Sequence, residues 1–468
     1  MKVTAIIAEY NPLHNGHVFH INRAIQETKA DHIIAIMSGN HVQRGCPAAF
    51  SKYERTKAAL LGGISLVIEL PLYYSTGSLE YFATGAVSLI QKLGMVDCIS
   101  FGSECGDIGQ LSEAAECLDA TEQAGNPETR QLIMAGNSYS YAVNSPDDIP
   151  AHIKQLLQTP NNLLAVAYIR AAKKLGLKCE FHTTERLHSG YHDRSAGALS
   201  STSIRQELLD ASLFTQGMNI PVLSEDSLGS DLGFYASMES RMPHDVLSSL
   251  TDYLKQHPVM SENDYSLLLF YRLHELLSSG NTMDITRGHI SSDPADVRLL
   301  SLTDYLDVSS NLAGKIAGKY THAQSFSDLC TELKSKDLNY SRISRSLLHI
   351  LLGIRSGHMK EYTGSGWNYY IKPLGFRKDA AELMHQLKHN ALIPVISKNA
   401  DHETVIRAFY GCGSKKENFS NKDISRSDLA VRMFREGIYA DDIYEKTACS
   451  KCRQSFISEY EHTMVVSG

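Results

Sequence analysis

The stretch Tyr10–His20, YNPLHNGHVFH, arrives directly behind the apolar run Val3–Ala8. A short β-branched run that ends in Asn11-Pro12 and passes into a helix-forming segment reads as a strand, a turn and a helix start. The first turn of such a helix is expected to leave backbone N–H groups free at the positive end of the helix dipole. His14 and His17 stand three residues apart, so both imidazoles fall on one side of that turn, as an exposed rim. Gly16 between them lets an anion approach the backbone without a Cβ in the way. The His-x-Gly-His spacing therefore predicts a helix start that grips a triphosphate through two donors. The bland alternative is that His14, His17 and His20 are ordinary surface histidines of an amphipathic helix. The coincidence of strand, Asn-Pro turn, glycine and paired histidines favours the phosphate reading.

Outward from this stretch, apolar runs at Val3–Ala8, His32–Met37, Leu66–Leu70, Cys98–Phe101 and Cys179–Phe181 alternate with helical patterns near His17–Thr28, Ser51–Leu61, Tyr81–Leu93 and Asn162–Lys174. That rhythm predicts an α/β fold, a Rossmann-like parallel sheet with helices on both faces and ligands beyond the carboxyl ends of its strands. Ser38-Gly39-Asn40, Glu69-Leu70-Pro71 and Gly102-Ser103-Glu104 sit at such ends. There is no GxGxxG fingerprint and no GxxxxGK[ST] loop, so phosphate binding falls to the histidines.

The segment GNHVQRGCPAAFSKYERTKAAL carries Gln43, Arg44, Lys52 and Arg55, with Gly45 and Pro47 shaping a loop and Ser51 placed to cap a helix. Arg44 or Lys52 either faces the phosphates or belongs to a solvated surface; the pattern leaves both open. Ala120–Pro150 is polar and reads as an inserted helical region. In TPNNLLAVAY, Asn161 or Asn162 is placed as a helix cap. Farther on, Ser-Ser-Thr-Ser-Ile-Arg leads into a helix with Arg205 near its start, a second candidate anion site.

At 468 residues with 43% hydrophobic and 21% charged residues, the chain has the composition of an ordinary globular protein of at least two domains. No apolar run reaches the roughly 18 residues of a membrane helix, and the first residues lack a signal-peptide pattern, so a cytoplasmic location is expected. The net charge of −7 advertises no nucleic-acid surface. Nine cysteines read as reduced thiols; Cys449 and Cys452 have metal-ligand spacing with Cys412 upstream, but no second CxxC completes a zinc site, so no metal ligand is assigned. After a Ser/Asp/Gly-rich passage from Gly217 to Asp231 the pattern is helical, at Asp264–Leu277, Ala295–Leu306 and Arg342–Ile354, with two candidate strands at Trp367–Phe376 and Ile393–Ser397. The expected division is 1–217, catalytic, and 218–468, mainly α-helical.

Taken together, AEYNPLHNGH, MSGNHVQRGCPA, LVIELP, FGSE, PNNLLAVAY, the ERL of Arg186, GYHD and LSSTSIR resemble the bacterial tRNA(Met) cytidine acetate ligase family, within the His-x-Gly-His nucleotidyltransferase superfamily. YLDVSSNLAGKI and KPLGFR extend the resemblance over the second half, and Ala165 departs from it where a glycine is expected. The resemblance implies a ligase that turns acetate and ATP into acetyl-adenylate and pyrophosphate. The acetyl group then passes to the N4 amine of the wobble cytidine of elongator tRNA(Met), with no membrane or DNA partner. It implies ATP contacts at Ile7, Ala8, Glu9, Tyr10, Asn11, Pro12, Leu13, His14, Asn15, Gly16, His17, Val18, Phe19, His20, Gly102, Asn161, Arg186 and Leu187. For adenylylation, catalysis is expected from positioned donors and cations, namely His14, His17, Arg205 and helix-start amides, with Mg2+ bridging the phosphates. Lys372, Arg377, Lys378, Lys388, Lys415, Lys416, Lys422, Arg426 and Arg432 are the candidate basic face for tRNA. The competing readings are a small-molecule adenylyltransferase of the NAD or coenzyme A type and a nucleotide-binding scaffold without turnover.

Overall fold

The five expected strands form: β1 (Val3–Ala8), β2 (His32–Ser38), β5 (Leu66–Leu70), β6 (Cys98–Ser103) and β7 (Glu180–Glu185), with a two-strand hairpin of β3 (His41–Val42) and β4 (Cys46–Pro47) between them. The computed structural model describes residues 1–123, 149–186, 200–216, 237–278, 301–412 and 425–468. β7 begins one residue later than expected and runs on through His182-Thr183-Thr184, polar residues that an edge strand tolerates. The main sheet has the order β7-β6-β1-β2-β5-β8-β9, completed by β8 (Pro373–Arg377) and β9 (Val465–Ser467). β1 lies parallel to β2 on one side and to β6 on the other. The chain thus reverses its direction of travel across the sheet at β1 and β6, the place where such sheets open a ligand crevice.

β8 pairs antiparallel with β5, Leu66 opposite Phe376 and Val67 opposite Gly375, and β9 follows parallel on β8. The second half of the chain therefore supplies two strands of the main sheet, and residues 217/218 do not divide that sheet. Of the two strands expected at Trp367–Phe376 and Ile393–Ser397, the first forms only over Pro373–Arg377. The second reduces to a single bridge between Ile371 and Val395, because the apolar side chains there serve loop packing.

Alternation along the strands sends side chains to two cores. Val3, Ala5, Ile34, Ile36, Leu66 and Ile68 face one side, against the helices Leu79–Leu93 and Pro160–Leu175 and onward into the helices of the second half. Ile6, Ile33, Ala35, Met37 and Val67 face the other, beneath α1 (Asn15–Thr28), α2 (Lys52–Leu61) and the helix His244–Leu254. Ser51 caps α2 as expected, accepting from Glu54 N. Helices form at Ser266–Ser278 and Tyr340–Leu352 as the periodicity predicts. Of the expected Ala295–Leu306 helix, residues 295–300 lie outside the described residues, and so do most of Ala120–Pro150 and all of Gly217–Asp231.

Gly45 ties the QRG loop to the second half. Its φ is +80°, and a Cβ there would overlap the backbone of Ser344 and Arg345, while Ser344 Oγ donates to Gly45 O at 2.8 Å. Gly45→Ala is expected to cost about 1–3 kcal/mol through backbone strain and overlap, read as a lowered denaturation midpoint. An unchanged midpoint would show that the loop can move away freely.

Candidate active site

β1 delivers the chain to α1 through Tyr10, at φ 45°, and a cis Asn11-Pro12 bond. Asn11 Oδ1 accepts from Ala49 N at 2.9 Å, and Arg205 Nη1 donates to Asn11 O at 2.6 Å. From the other side Ser201 Oγ donates to Pro12 O at 3.2 Å. Arg55, fully buried on α2, donates to Phe50 O, Glu9 O, Ser38 O and Gly39 O. One guanidinium thus fastens the carboxyl ends of β1 and β2, and the loops that leave them, to α2.

His14 is the N-cap of α1, and its Nδ1 accepts from Gly16 N at 3.1 Å. His17 Nδ1 accepts from His14 N at 3.3 Å, and the two rings stack with centroids 3.9 Å apart. These bonds fill both Nδ1 lone pairs, so in the neutral rings the proton sits on Nε2 of each. Burial, and then the charge of Arg186, lowers the His14 pKa to about 4. His17 is lowered well below its ordinary value by burial first, then by His14, Arg186 and His20. The pair is therefore two neutral N–H donors at neutral pH.

Two expectations need correction. The pair is not an exposed rim: His14 is 3% exposed and His17 half-buried. Nor is the helix start a row of free amides, since Asn15 N donates to Arg241 O, Gly16 N to His14 Nδ1 and His17 N to His14 O. Arg241 O and the His14 cap between them consume these donors, which leaves the imidazole Nε2–H groups as the candidates for an anion. Gly16 is required by the His14 ring as well, because a Cβ would lie 3.0 Å from His14 Cε1.

Across the crevice, Arg186 Nη1 donates to Asn161 Oδ1 at 2.9 Å, and Arg186 N to Ser103 O at 2.9 Å. Gly102 lies beneath it: a Cβ there would come within 3.3 Å of Arg186 Cγ. Asn161 and Asn162 are not caps. Thr159 is the N-cap of Pro160–Leu175, and the carboxylate of Glu104 accepts from Asn161 Nδ2 at 2.6 Å and Asn162 N at 2.8 Å. Asn162 Oδ1 answers by accepting from Glu104 N and Cys105 N. The FGSE and PNN blocks are thus one lock that aims Asn161 at Arg186. Thr184, opposite Gly102 in the sheet register, keeps a buried hydroxyl with no partner among the described residues. Leu187 lies outside the described residues.

Arg205 is half-buried in the helix Ser201–Gln216, where burial first, then the charge of Arg44, lowers its pKa. Arg44 is exposed beside it, consistent with the phosphate-facing alternative. Lys52 does not fit that alternative. It is fully buried and ion-paired to Glu69 Oε1 at 3.0 Å, Glu459 Oε1 at 2.7 Å and Asp441. Lys372 joins the same cluster, 2.9 Å from Glu69 and 2.8 Å from Glu459, and so leaves the candidate basic face. On that face Lys378, Lys388 and Arg426 are exposed, while Arg377 pairs with Asp379 and Arg432 with Glu361. Lys415, Lys416 and Lys422 lie outside the described residues.

Cys449 and Cys452 share the helix Arg426–Cys452, where burial pushes the Cys449 thiol up to about 12. The Cys412 side chain lies outside the described residues. Among the described residues, Glu69, Asp441 and Glu459 do bring three ligand atoms together, but two ammonium groups occupy the same space.

Acidification has a definite sign here. His14 and His20 titrate near 4 and His41 near 3, all below the ordinary 6.5 and all through burial first, so the unfolded chain binds more protons between those values. Their stabilisation is complete above pH ~6.5 and is lost as pH falls through about 4. Asp441, raised to about 7 by burial, pulls the other way as a single group. The melting temperature is therefore expected to fall on going from pH 7 to pH 4.5; a rise would overturn the neutral-histidine assignment.

The HIGH Nucleotidyl Transferase family model matches residues 1–456. The tRNA(Met) cytidine acetate ligase of Thermoanaerobacter sp. (strain X514) is 33% identical over 454 residues, 95% of each chain. That of Caldanaerobacter subterraneus subsp. tengcongensis is 30% identical over 453 residues, again 95% of each. Among solved structures, Thermotoga maritima TmcAL bound with alpha-thio ATP matches with a TM-score of 0.77 at 22% identity over the whole of both chains, a likeness of fold. No described helix is long and apolar enough to cross a membrane. Its signature strand-to-helix junction, its sheet and its relatives over nearly their full length agree, and the chain belongs to the tRNA(Met) cytidine acetate ligase family of HIGH nucleotidyl transferases.

Proposed function

We propose that the protein is an ATP-dependent ligase that acetylates the N4 amine of the wobble cytidine of elongator tRNA(Met), acting in the cytoplasm. A carboxylate oxygen of acetate attacks the α-phosphorus of ATP, the bond to the β-phosphate oxygen breaks, and pyrophosphate leaves. The cytidine amine then attacks the acetyl carbon, AMP departs with the bonding electrons, and the amine gives up one proton. The observation that carries the reading is the stacked His14–His17 pair, whose Nδ1 atoms are capped and whose Nε2–H groups remain as donors.

Adenylylation shifts negative charge onto the leaving pyrophosphate, so positioned donors and cations are its natural catalysts. Neutral histidines donate without charge of their own, while Arg205, Arg44 and Arg186 supply the positive field. Imidazole and guanidinium nitrogens do not suit Mg2+, a hard cation of oxygen ligands, so Mg2+ belongs to the ATP substrate rather than to a protein cage. Lys378, Lys388 and Arg426 are the exposed cations assigned to tRNA contact.

The test is mass spectrometry of tRNA nucleosides after incubation with ATP and acetate. N4-acetylcytidine at the wobble position of elongator tRNA(Met), absent without acetate, is the expected result. Pyrophosphate release that requires nicotinamide mononucleotide instead of acetate would select the small-molecule adenylyltransferase, and no release with either would select the scaffold.

A further inference from the structure

The third histidine of the signature, His20, ends a hydrogen-bonded chain. His20 Nε2 meets Ser100 Oγ at 2.9 Å, Ser100 Oγ meets His182 Nδ1 at 2.9 Å, and His182 Nε2 meets the carboxylate of Glu27. Ser100 is fully buried on β6 and lies opposite His182 on β7, while His20 and Glu27 both belong to α1. Arg23 pairs with the other oxygen of Glu27 at 2.5 Å.

Such a chain has a direction. An ionised carboxylate only accepts, so His182 Nε2 carries the proton. In neutral His182 the lone pair is then on Nδ1, and the Ser100 hydroxyl hydrogen points to it. That leaves the Ser100 oxygen as an acceptor, which places the His20 proton on Nε2. Nδ1 of His20 is left as a bare lone pair with no donor among the described residues. His14 and His17 present the opposite polarity, since their Nδ1 atoms are filled from the backbone and their Nε2–H groups have no acceptor among the described residues. His20 stays neutral because burial first, and then the positive charge of Arg186, lower its pKa to about 4.

Phosphate and acetate oxygens carry no hydrogen and would be repelled by that lone pair. The donors that ATP offers are its ribose hydroxyls and its adenine amine. We propose that His20 accepts a hydrogen bond from one of these nucleoside donors, and that Ser100, His182 and Glu27 are positioning residues that fix its polarity. This rests on the ATP-dependent reading above.

Two measurements on the full chain test it. With 15N-labelled histidine and no nucleotide, His20 is expected as the Nε2–H tautomer, and Ser100→Ala should give a mixture. Glu27→Gln, at the half-exposed end of the chain, should weaken the bias likewise without touching the core. Calorimetric affinities for ATP, 2′-deoxy-ATP, 3′-deoxy-ATP and purine riboside triphosphate, taken without tRNA, then identify the donor. One analogue is expected to bind about 10-fold more weakly than ATP to the wild type. That gap should close to within about threefold in Ser100→Ala. A His20 Nδ1–H tautomer in the wild type, or equal affinity for all four nucleotides, overturns the proposal. A wild type that binds none of the four rejects the ATP-dependent reading itself, whatever the tautomer.

Discussion

His17→Ala is expected to lower acetate-dependent ATP–pyrophosphate exchange by about 10²–10³-fold. The lost group is the Nε2–H, a donor set in place before charge develops on the leaving pyrophosphate, so the loss should fall on kcat more than on KM. Folding pays a smaller penalty. His17 gives up one long hydrogen bond from His14 N and the stacking contact, on the order of 1 kcal/mol, or a few degrees of melting temperature in a chain of this size. His14→Ala differs, because it also removes the N-cap of α1 and opens a buried site, adding about 1 kcal/mol or more to the structural loss. A normal exchange rate in His17→Ala would sink the catalytic reading of the signature.

Lys52→Met should destabilise the protein by about 3–5 kcal/mol. The wild-type cluster sets two ammonium groups against three carboxylates, nearly all of it buried. Burial opposes the charge on Lys52, but Asp441, Glu459 and Glu69 together raise its pKa well above 10.5. When Lys52 goes, Asp441 loses its main counter-charge, and Lys372, already the main partner of Glu69 and Glu459, is left as one ammonium against three carboxylates. Adding Asp441→Leu should recover a good part of the loss, because it removes a carboxylate that has become uncompensated. A denaturation midpoint within about 1 kcal/mol of wild type for the single variant would show that the cluster admits water or sheds protons easily.

The junction at Tyr10–His20 was legible because strand, turn and histidine spacing are all local, within a dozen residues. What spacing could not reveal was satisfaction. Whether the amides of the first turn are free depends on Arg241 O and on how the His14 ring folds back. Lys52 was misplaced for a similar reason, since its partners Asp441 and Glu459 come from the far end of the chain, and burial of a lysine leaves no mark on its neighbours in sequence. The roles of Asn161 and Asn162 required Glu104, 57 residues upstream of Asn161. β8 was half seen because its five residues carry only Leu374 and Phe376 as apolar signal, and an edge-adjacent strand needs no more.

The placement of β8 against β5 also matters while the polypeptide is being made. A ribosome releases β1, β2, β5, β6 and β7 long before Pro373–Arg377, so Leu66–Leu70 spends that interval with one row of backbone groups unmatched. Its side chains are among the most apolar of the sheet, which makes the nascent edge a template for pairing with a neighbouring chain. A gene fragment ending near residue 217 would freeze the protein in that condition, with Lys52 and Glu69 also stranded without Asp441, Glu459 and Lys372. Such a fragment should be caught by chaperones or aggregate, so an evolutionary history in which the first half of the chain once lived alone would have required a different edge on β5.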